Sequence, residues 1–431
     1  MLLHHPSASW NLTYGDDAVG GPLLLETQGK PLFRAMHCAL DGQPEAPLTQ
    51  SVASYVRKGG CAILQSKGTF PGQAPVEILQ TQRIAANTIR FTYDITWKAE
   101  GAPLKQGLEL GSLRLEGNWT RYLALSPREV AQTPPEWRPL PQDLDKTPLV
   151  LAPIPTVLLL EDQEGRRLEY GLGHDLWRWQ KGLNGEFLHA TNRLTLSRDQ
   201  EGLLLQRHVA YCNPQEEARL AARLQSTPPF AADPESGAPG RPVPVSCPEK
   251  RQYRFQAYLS WSEPALAPQP LSPESFPLEL TCTQKGGLQN LSQAIPEGVP
   301  PCLVLDLATI PFPQNSHVER DATPGAPPCW ESRAFQALFR RCLRQIANAG
   351  AEGTLILKGV APGECQRASH LARRGEALPH WDLSAILETL AWARQILPET
   401  WSLRASVAAP WDLLPSLSVL GAPSGFRHAQ E

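Results

Sequence analysis

Asn87-Thr88-Ile89-Arg90-Phe91-Thr92-Tyr93-Asp94-Ile95-Thr96-Trp97 alternates apolar and polar residues from Thr88 to its end. A period of two puts Ile89, Phe91, Tyr93, Ile95 and Trp97 on one side of an extended chain and the polar residues on the other, as a strand with one buried face requires. Tyr253, Phe255, Ala257, Leu259 and Trp261 repeat the pattern. Leu108 and Leu110, then Leu113 and Leu115, surround Gly111-Ser112, which predicts a strand carrying a bulge or tight bend.

The tetrapeptide Asp-Gln-Glu-Gly occurs at 162–165 and again at 199–202, each time between two short apolar runs. Both sites read as hairpins in which the glycine supplies a positive φ at the turn. Prolines number 43 and cluster; residues 133–155 and 226–248 hold seven each, with no helical or strand period, and are predicted to be loops inserted into the β-rich part.

From residue 301 the texture changes. Residues 302–309 (CLVLDLAT) read as a buried strand, and in residues 332–348 Phe335, Leu338, Phe339, Cys342, Leu343 and Ile346 fall on one helical face. Residues 354–358 (TLILK) form a second strand, Asp382 caps a helix stopped by Pro398, and residues 401–408 form a third strand. The order β-α-β-α-β argues for a small, mainly parallel sheet. The chain is therefore an α+β multi-domain protein: a large antiparallel β-sandwich over 1–290, then a small α/β region over 300–425. A length of 431 residues agrees, since single cores stop growing near about 250 to 300 residues.

Composition excludes several classes. Forty Lys and Arg against 43 Asp and Glu give a formal charge of -3, with no long run of like charge, so neither nucleic acid nor a membrane surface is an expected partner. Apolar runs of four or five residues are too short to span a bilayer, and no export signal precedes Trp10; a cytoplasmic location is expected. The nine cysteines are scattered without a C-x-x-C pair and read as reduced, mostly buried thiols, with no metal site. There is no Walker loop, no G-x-S-x-G elbow and no H-E-x-x-H, and Gly171-Leu172-Gly173 lacks the third glycine of a dinucleotide fingerprint, so no cofactor is expected.

The densest chemical cluster is His174-Asp175-Leu176-Trp177-Arg178-Trp179. An indole packs on the apolar side of a pyranose, Arg178 and Asp175 suit neighbouring hydroxyls, and His174 beside Asp175 suits proton transfer. The same tryptophans at period two would also serve as core, with an ordinary Asp175–Arg178 ion pair. Trp119 and Arg121 form a second aromatic-basic pair, which lines the same face or else belongs to the sheet's core and rim. In the α/β region the loops beyond the strand ends carry Glu319, Asp321, Lys358 and Asp412, a source of paired carboxylates or a solvated polar surface.

The strand at 87–95, Leu110-Gly111-Ser112-Leu113, Gly117-Asn118-Trp119 and the G-x-G-H-D-x-W-R-W run together resemble the galactose mutarotase-like supersandwich of carbohydrate-active proteins, over roughly residues 15–285. The resemblance implies a saccharide ligand on a concave sheet face. Family members that epimerise aldoses use a histidine and a glutamate, neither of which this sequence shows in the expected context; His174 is a positional candidate, and whether the chain is an enzyme stays open. Carbohydrate binding or processing is thus the first expectation, and a non-enzymatic structural or protein-interaction module, with the indoles as anchors, is the second.

Overall fold

A computed structural model describes residues 2–4, 10–15, 21–40, 43–47, 49–58, 61–69, 76–85, 87–98, 108–125, 135–151, 157–172, 193–209, 250–262, 277–283, 287–289, 291, 300–307, 310, 330, 333–350, 352–360, 364–365, 380–381, 383–398, 400–407, 411–418 and 427–428. Two antiparallel sheets dominate. One runs, in spatial order, from Leu149–Leu151 through Arg193–Asp199, Gly202–Val209, Leu108–Leu115, Lys30–Leu40, Leu24–Thr27, Trp10–Thr13 and Leu2–His4 to Arg427–His428, with Gln43–Pro47 beside Lys30–Leu40. The other runs from Arg138–Pro139 through Trp119–Leu125, Val157–Asp162, Arg167–Leu172, Lys250–Ser262, Thr88–Lys98, Val76–Ala85 and Cys61–Thr69 to Thr49–Lys58.

The sheets face each other over one apolar core. Ile89, Phe91, Tyr93 and Ile95 contribute from the nine-stranded sheet, and Leu108, Leu110, Leu113 and Leu115 from the ten-stranded one. Period-two alternation therefore reads correctly, with the Ile89–Ile95 set inside. The indoles of Trp10 and Trp261 meet across the two sheets edge to face, 5.3 Å between centroids at 89°.

Val157–Asp162 is buried along its whole length because both of its faces are covered. Leu158 and Leu160 turn into the sandwich core, while Val157 and Leu159 join Leu123, Leu125 and Tyr258 in a second apolar cluster with the α/β region. A third layer thus lies on the back of the nine-stranded sheet. It holds the parallel strands Leu278–Cys282, Cys302–Asp306, Gly353–Val360 and Trp401–Val407, in that spatial order. The helices Arg333–Ala349 and Leu383–Ile396 bury Phe335, Phe339, Cys342, Ile346, Ile386 and Leu390 in the same cluster.

Two elements differ from the sequence reading. The parallel sheet reaches back to Leu278–Cys282, ahead of the change of texture near 300, because this short strand alternates too briefly to announce which sheet it joins. Within the proline-rich stretch 133–155, Arg138–Pro139 pairs with Arg121 and Tyr122, and Leu149–Leu151 pairs with Leu194 to Leu196. These are edge strands of the two sheets, where proline's missing N–H costs no ladder bond. The 226–248 stretch lies outside the described residues.

Both Asp-Gln-Glu-Gly turns are hairpins, with Gly165 at φ 82° and Gly202 at φ 140°. Their aspartates contribute as well. Asp162 Oδ1 accepts the N–H groups of Glu164 and Arg166 at 2.9 and 2.8 Å, and Asp199 Oδ1 accepts those of Glu201 and Gly202 at 2.8 and 3.1 Å.

Candidate functional site

The bulge at Gly111 creates a polar site on the outward face of the ten-stranded sheet. In a regular strand, residues three apart lie on opposite faces. Here the ladder to Lys30–Leu40 shifts register around Ser112, and Gly111 adopts φ 68°. A Cβ at Gly111 would come within 2.8 Å of Tyr93 Oη, so only glycine fits without displacement. The extra residue lets Leu108, Leu110, Leu113 and Leu115 all enter the core while Glu109 and Ser112 share the other face. Ser112 Oγ donates to Glu109 Oε2 at 3.0 Å.

Neighbouring strands complete the cluster. Gln206, from Gly202–Val209, donates Nε2 to both Glu109 oxygens at 3.3 Å. His37, opposite Ser112 on Lys30–Leu40, holds Nε2 4.0 Å from Glu109 Oε2. Its Nδ1 lies 3.1 Å from the Ala35 carbonyl; when Nδ1–H donates there, the neutral ring keeps a lone pair on Nε2, the nitrogen that faces Glu109. His208 is the cross-strand partner of Glu109, and Thr195 that of Gln206. Thr195 is 7% exposed, and its Oγ1 has no hydrogen-bond partner among the described residues.

Glu109 is only 2% exposed, yet its hydrogen-bond donors Ser112 and Gln206 are neutral. Two buried carboxylates on the nine-stranded sheet are instead tied to guanidinium groups. Arg166 Nε donates to Asp162 Oδ2 at 2.6 Å, and Glu161 is held by Arg121 and Arg167. Burial pushes the Glu161 carboxyl up, but the bonds from Arg167 and Arg121 outweigh it and hold the group below its ordinary value. A buried carboxylate with neutral donors, an imidazole in reach and a hydroxyl with no partner among the described residues together offer hydrogen-bond donors and acceptors to a polar molecule.

On its inward face the strand Gly202–Val209 carries Arg207, 1% exposed, whose charge acts on Cys38, Tyr93 and Tyr170 in the core. Burial nevertheless pushes the Cys38 thiol up to about 12 and raises both tyrosines. This thiol is locked in its neutral form at ordinary pH.

Of the residues predicted from sequence, the side chains of Trp119, Arg121 and Lys358 are described, and these three do not come together. Trp119 is 1% exposed in the sandwich core, with its indole N–H on the Glu116 carbonyl at 2.9 Å. Arg121 lies on the opposite face, stacked at 4.8 Å over the Trp137 ring and bonded to Glu161. The two do not line one surface, because the ladder shifts register between them. Lys358 donates to Glu279 Oε1 at 2.7 Å on the exposed side of the parallel sheet. His174, Asp175, Trp177, Arg178, Trp179, Glu319 and Asp321 lie outside the described residues, as does the side chain of Asp412. His37, Glu109, Ser112, Thr195, Gln206 and His208 were not singled out from sequence; the bulge signal at Gly111-Ser112, two positions after Glu109, was the available pointer.

No protein-family model and no curated protein sequence matches the chain. Solved structures do. The chain is similar to galactose mutarotase-like proteins. That of Lactobacillus casei is 9% identical over 60% of this chain and 99% of the other, with a TM-score of 0.31. That of Clostridium acetobutylicum is 8% identical over 59% of this chain and 92% of the other, with a TM-score of 0.32. An alpha-N-acetylgalactosaminidase of Bifidobacterium bifidum is 9% identical over 96% of this chain and 77% of the other, with a TM-score of 0.34. Among the described residues no helix is long and apolar enough to cross a membrane.

Proposed function

We propose that this protein binds, and chemically processes, a saccharide on the outward face of the ten-stranded sheet. Glu109 and His37 are the proton-transfer groups; Ser112, Thr195, Gln206 and His208 meet the sugar hydroxyls. The observation that carries the reading is the buried Glu109 carboxylate held by Ser112 and Gln206, 4.0 Å from His37 Nε2, with the Thr195 hydroxyl, which has no partner among the described residues, on the same face. A polyol offers hydroxyls that both donate and accept, which suits a strip of carboxylate, amide, hydroxyl and imidazole. Two groups that close together can serve neighbouring oxygens of one sugar ring, one taking a proton and one giving it.

The segment 173–192 leaves the nine-stranded sheet after Leu172 and re-enters the ten-stranded sheet at Arg193, whose cross-strand partner is His208. On this proposal it brings Trp177, Trp179, Arg178, His174 and Asp175 to the same ligand, the indoles as stacking surfaces.

A thermal-shift screen of monosaccharides and short glycans tests the reading. A sugar at about 100 times its dissociation constant stabilises the fold by roughly 2.7 kcal/mol. The shift is expected to vanish in a folded Glu109→Gln variant and to shrink in a Trp177→Ala, Trp179→Ala variant. Interconversion of the two anomers of the bound sugar, followed by NMR exchange spectroscopy, is expected to slow in His37→Ala. If no sugar moves the midpoint, or if Glu109→Gln binds as well as the parent, the proposal fails.

A further inference from the structure

In the third layer, Cys282 ends the strand Leu278–Cys282 and Cys342 sits within the helix Arg333–Ala349. Both are buried, and their sulfurs lie 3.4 Å apart. A disulfide needs about 2.05 Å, so a shift of about 1.4 Å shared by two side chains closes the bond. We propose that Cys282 and Cys342 are an oxidative modification site, forming a reversible disulfide on reaction with hydrogen peroxide or another small peroxide. This inference is independent of the saccharide site.

The pair differs from the other described thiols. Cys38 is isolated in the sandwich core with its thiol pushed up to about 12, and burial also raises Cys302. Cys282 is lowered, first by its hydrogen bond with Cys342, against burial, and further by the charge of Arg341. Cys342 is raised by the same hydrogen bond and by burial. One sulfur therefore takes the thiolate form more readily while its neighbour keeps its proton, the arrangement of an attacking and a resolving cysteine.

The Cys282 thiolate attacks one peroxide oxygen and the O–O bond breaks, leaving a sulfenic acid and hydroxide. The Cys342 sulfur then attacks the sulfenic sulfur, the S–S bond forms, and the sulfenic oxygen leaves as water with the Cys342 proton. Two thiols and one peroxide give one disulfide and two waters. A dithiol reductant reverses the change by thiol exchange. The bond ties residues 60 positions apart, linking an edge region of the parallel sheet to the helix and restricting the unfolded chain.

The test uses the full chain under native conditions, treated with a small excess of hydrogen peroxide, alkylated and digested without reduction. Mass spectrometry is expected to find the Cys282 and Cys342 peptides joined, two hydrogens lighter than their sum, with separation on adding dithiothreitol. The oxidised protein is expected to melt several degrees higher. In Cys342→Ser, or Cys342→Ala should serine unfold the helix, dimedone is expected to trap a sulfenic acid at Cys282. The proposal is overturned if both thiols remain open to alkylation after unfolding of the peroxide-treated parent, or if either is joined to another cysteine instead.

Discussion

Tyr258 Oη donates a 2.5 Å hydrogen bond to Glu169 Oε1 on the adjacent strand of the nine-stranded sheet, and this pair anchors the third layer. Ser416 completes the contact, its N–H on Oε2 and its hydroxyl on Oε1, both at 2.8 Å. Asn87 adds a bond from Nδ2 to the Pro415 carbonyl at 3.3 Å. Two residues from distant parts of the chain thus satisfy one buried carboxyl, and the short helix Pro415–Ser418 is docked by it and by Asn87.

Burial raises Glu169 from 4.5 to about 7, despite its bonds from Tyr258 and Ser416. Because the folded value exceeds the unfolded one, the folded state holds the proton more tightly. The group's contribution is complete below about pH 4.5 and is lost as pH rises through about 7. Urea midpoints measured across that window are expected to fall with rising pH, and Glu169→Gln is expected to flatten that part of the profile. An unchanged slope in the variant would assign the pH dependence to other groups.

Gly171 lies directly beneath the Tyr258 ring, where a Cβ would stand 2.0 Å from Cε1. Gly171→Ala is expected to cost about 3 kcal/mol by displacing the ring and with it the bond to Glu169. In the Tyr258→Ala background the same change should cost much less, since the obstructing atoms are gone. Additive losses in denaturant unfolding would contradict this account.

At Gly111 the outcome reaches the candidate site. Gly111→Ala meets both an unfavourable positive φ and the Tyr93 hydroxyl, for an expected loss of about 2 kcal/mol. Relief by re-registering the bulge moves Ser112 away from Glu109. A saccharide-induced thermal shift is therefore expected to weaken more in this variant than in an equally destabilised core variant such as Leu196→Ala.

The two turns separate buried from exposed charge. Asp162 has a side chain 1% exposed and pairs with Arg166, so Asp162→Ala leaves the buried guanidinium the exposed Glu164 carboxylate, 3.9 Å away, as its counter-charge and is expected to cost about 3 kcal/mol. Asp199, 46% exposed, pairs with Arg114 at the surface, and Asp199→Ala is expected to cost about 1 kcal/mol. Equal losses in paired unfolding experiments would show that the turn bonds, not the ion pairs, dominate.

Local chemistry by itself determined the main core strands, the two Asp-Gln-Glu-Gly turns and the helical face, but not the short edge strands at Arg138–Pro139 and Leu149–Leu151. The alternation at Ile89 to Ile95 specifies which side chains enter the core, the glycines of the two Asp-Gln-Glu-Gly turns specify where the chain reverses, and Phe335 to Ile346 specify a helical face. Each signal lies within a few residues because backbone geometry repeats every two or 3.6 positions. The sites do not. Gln206 reaches Glu109 across 97 positions, and Ser416 reaches Glu169 across 247, through strand order and layer stacking that no local period encodes. Only the tertiary structure brought the donors to these carboxylates, because the groups that meet them come from strands and a helix far apart in the chain.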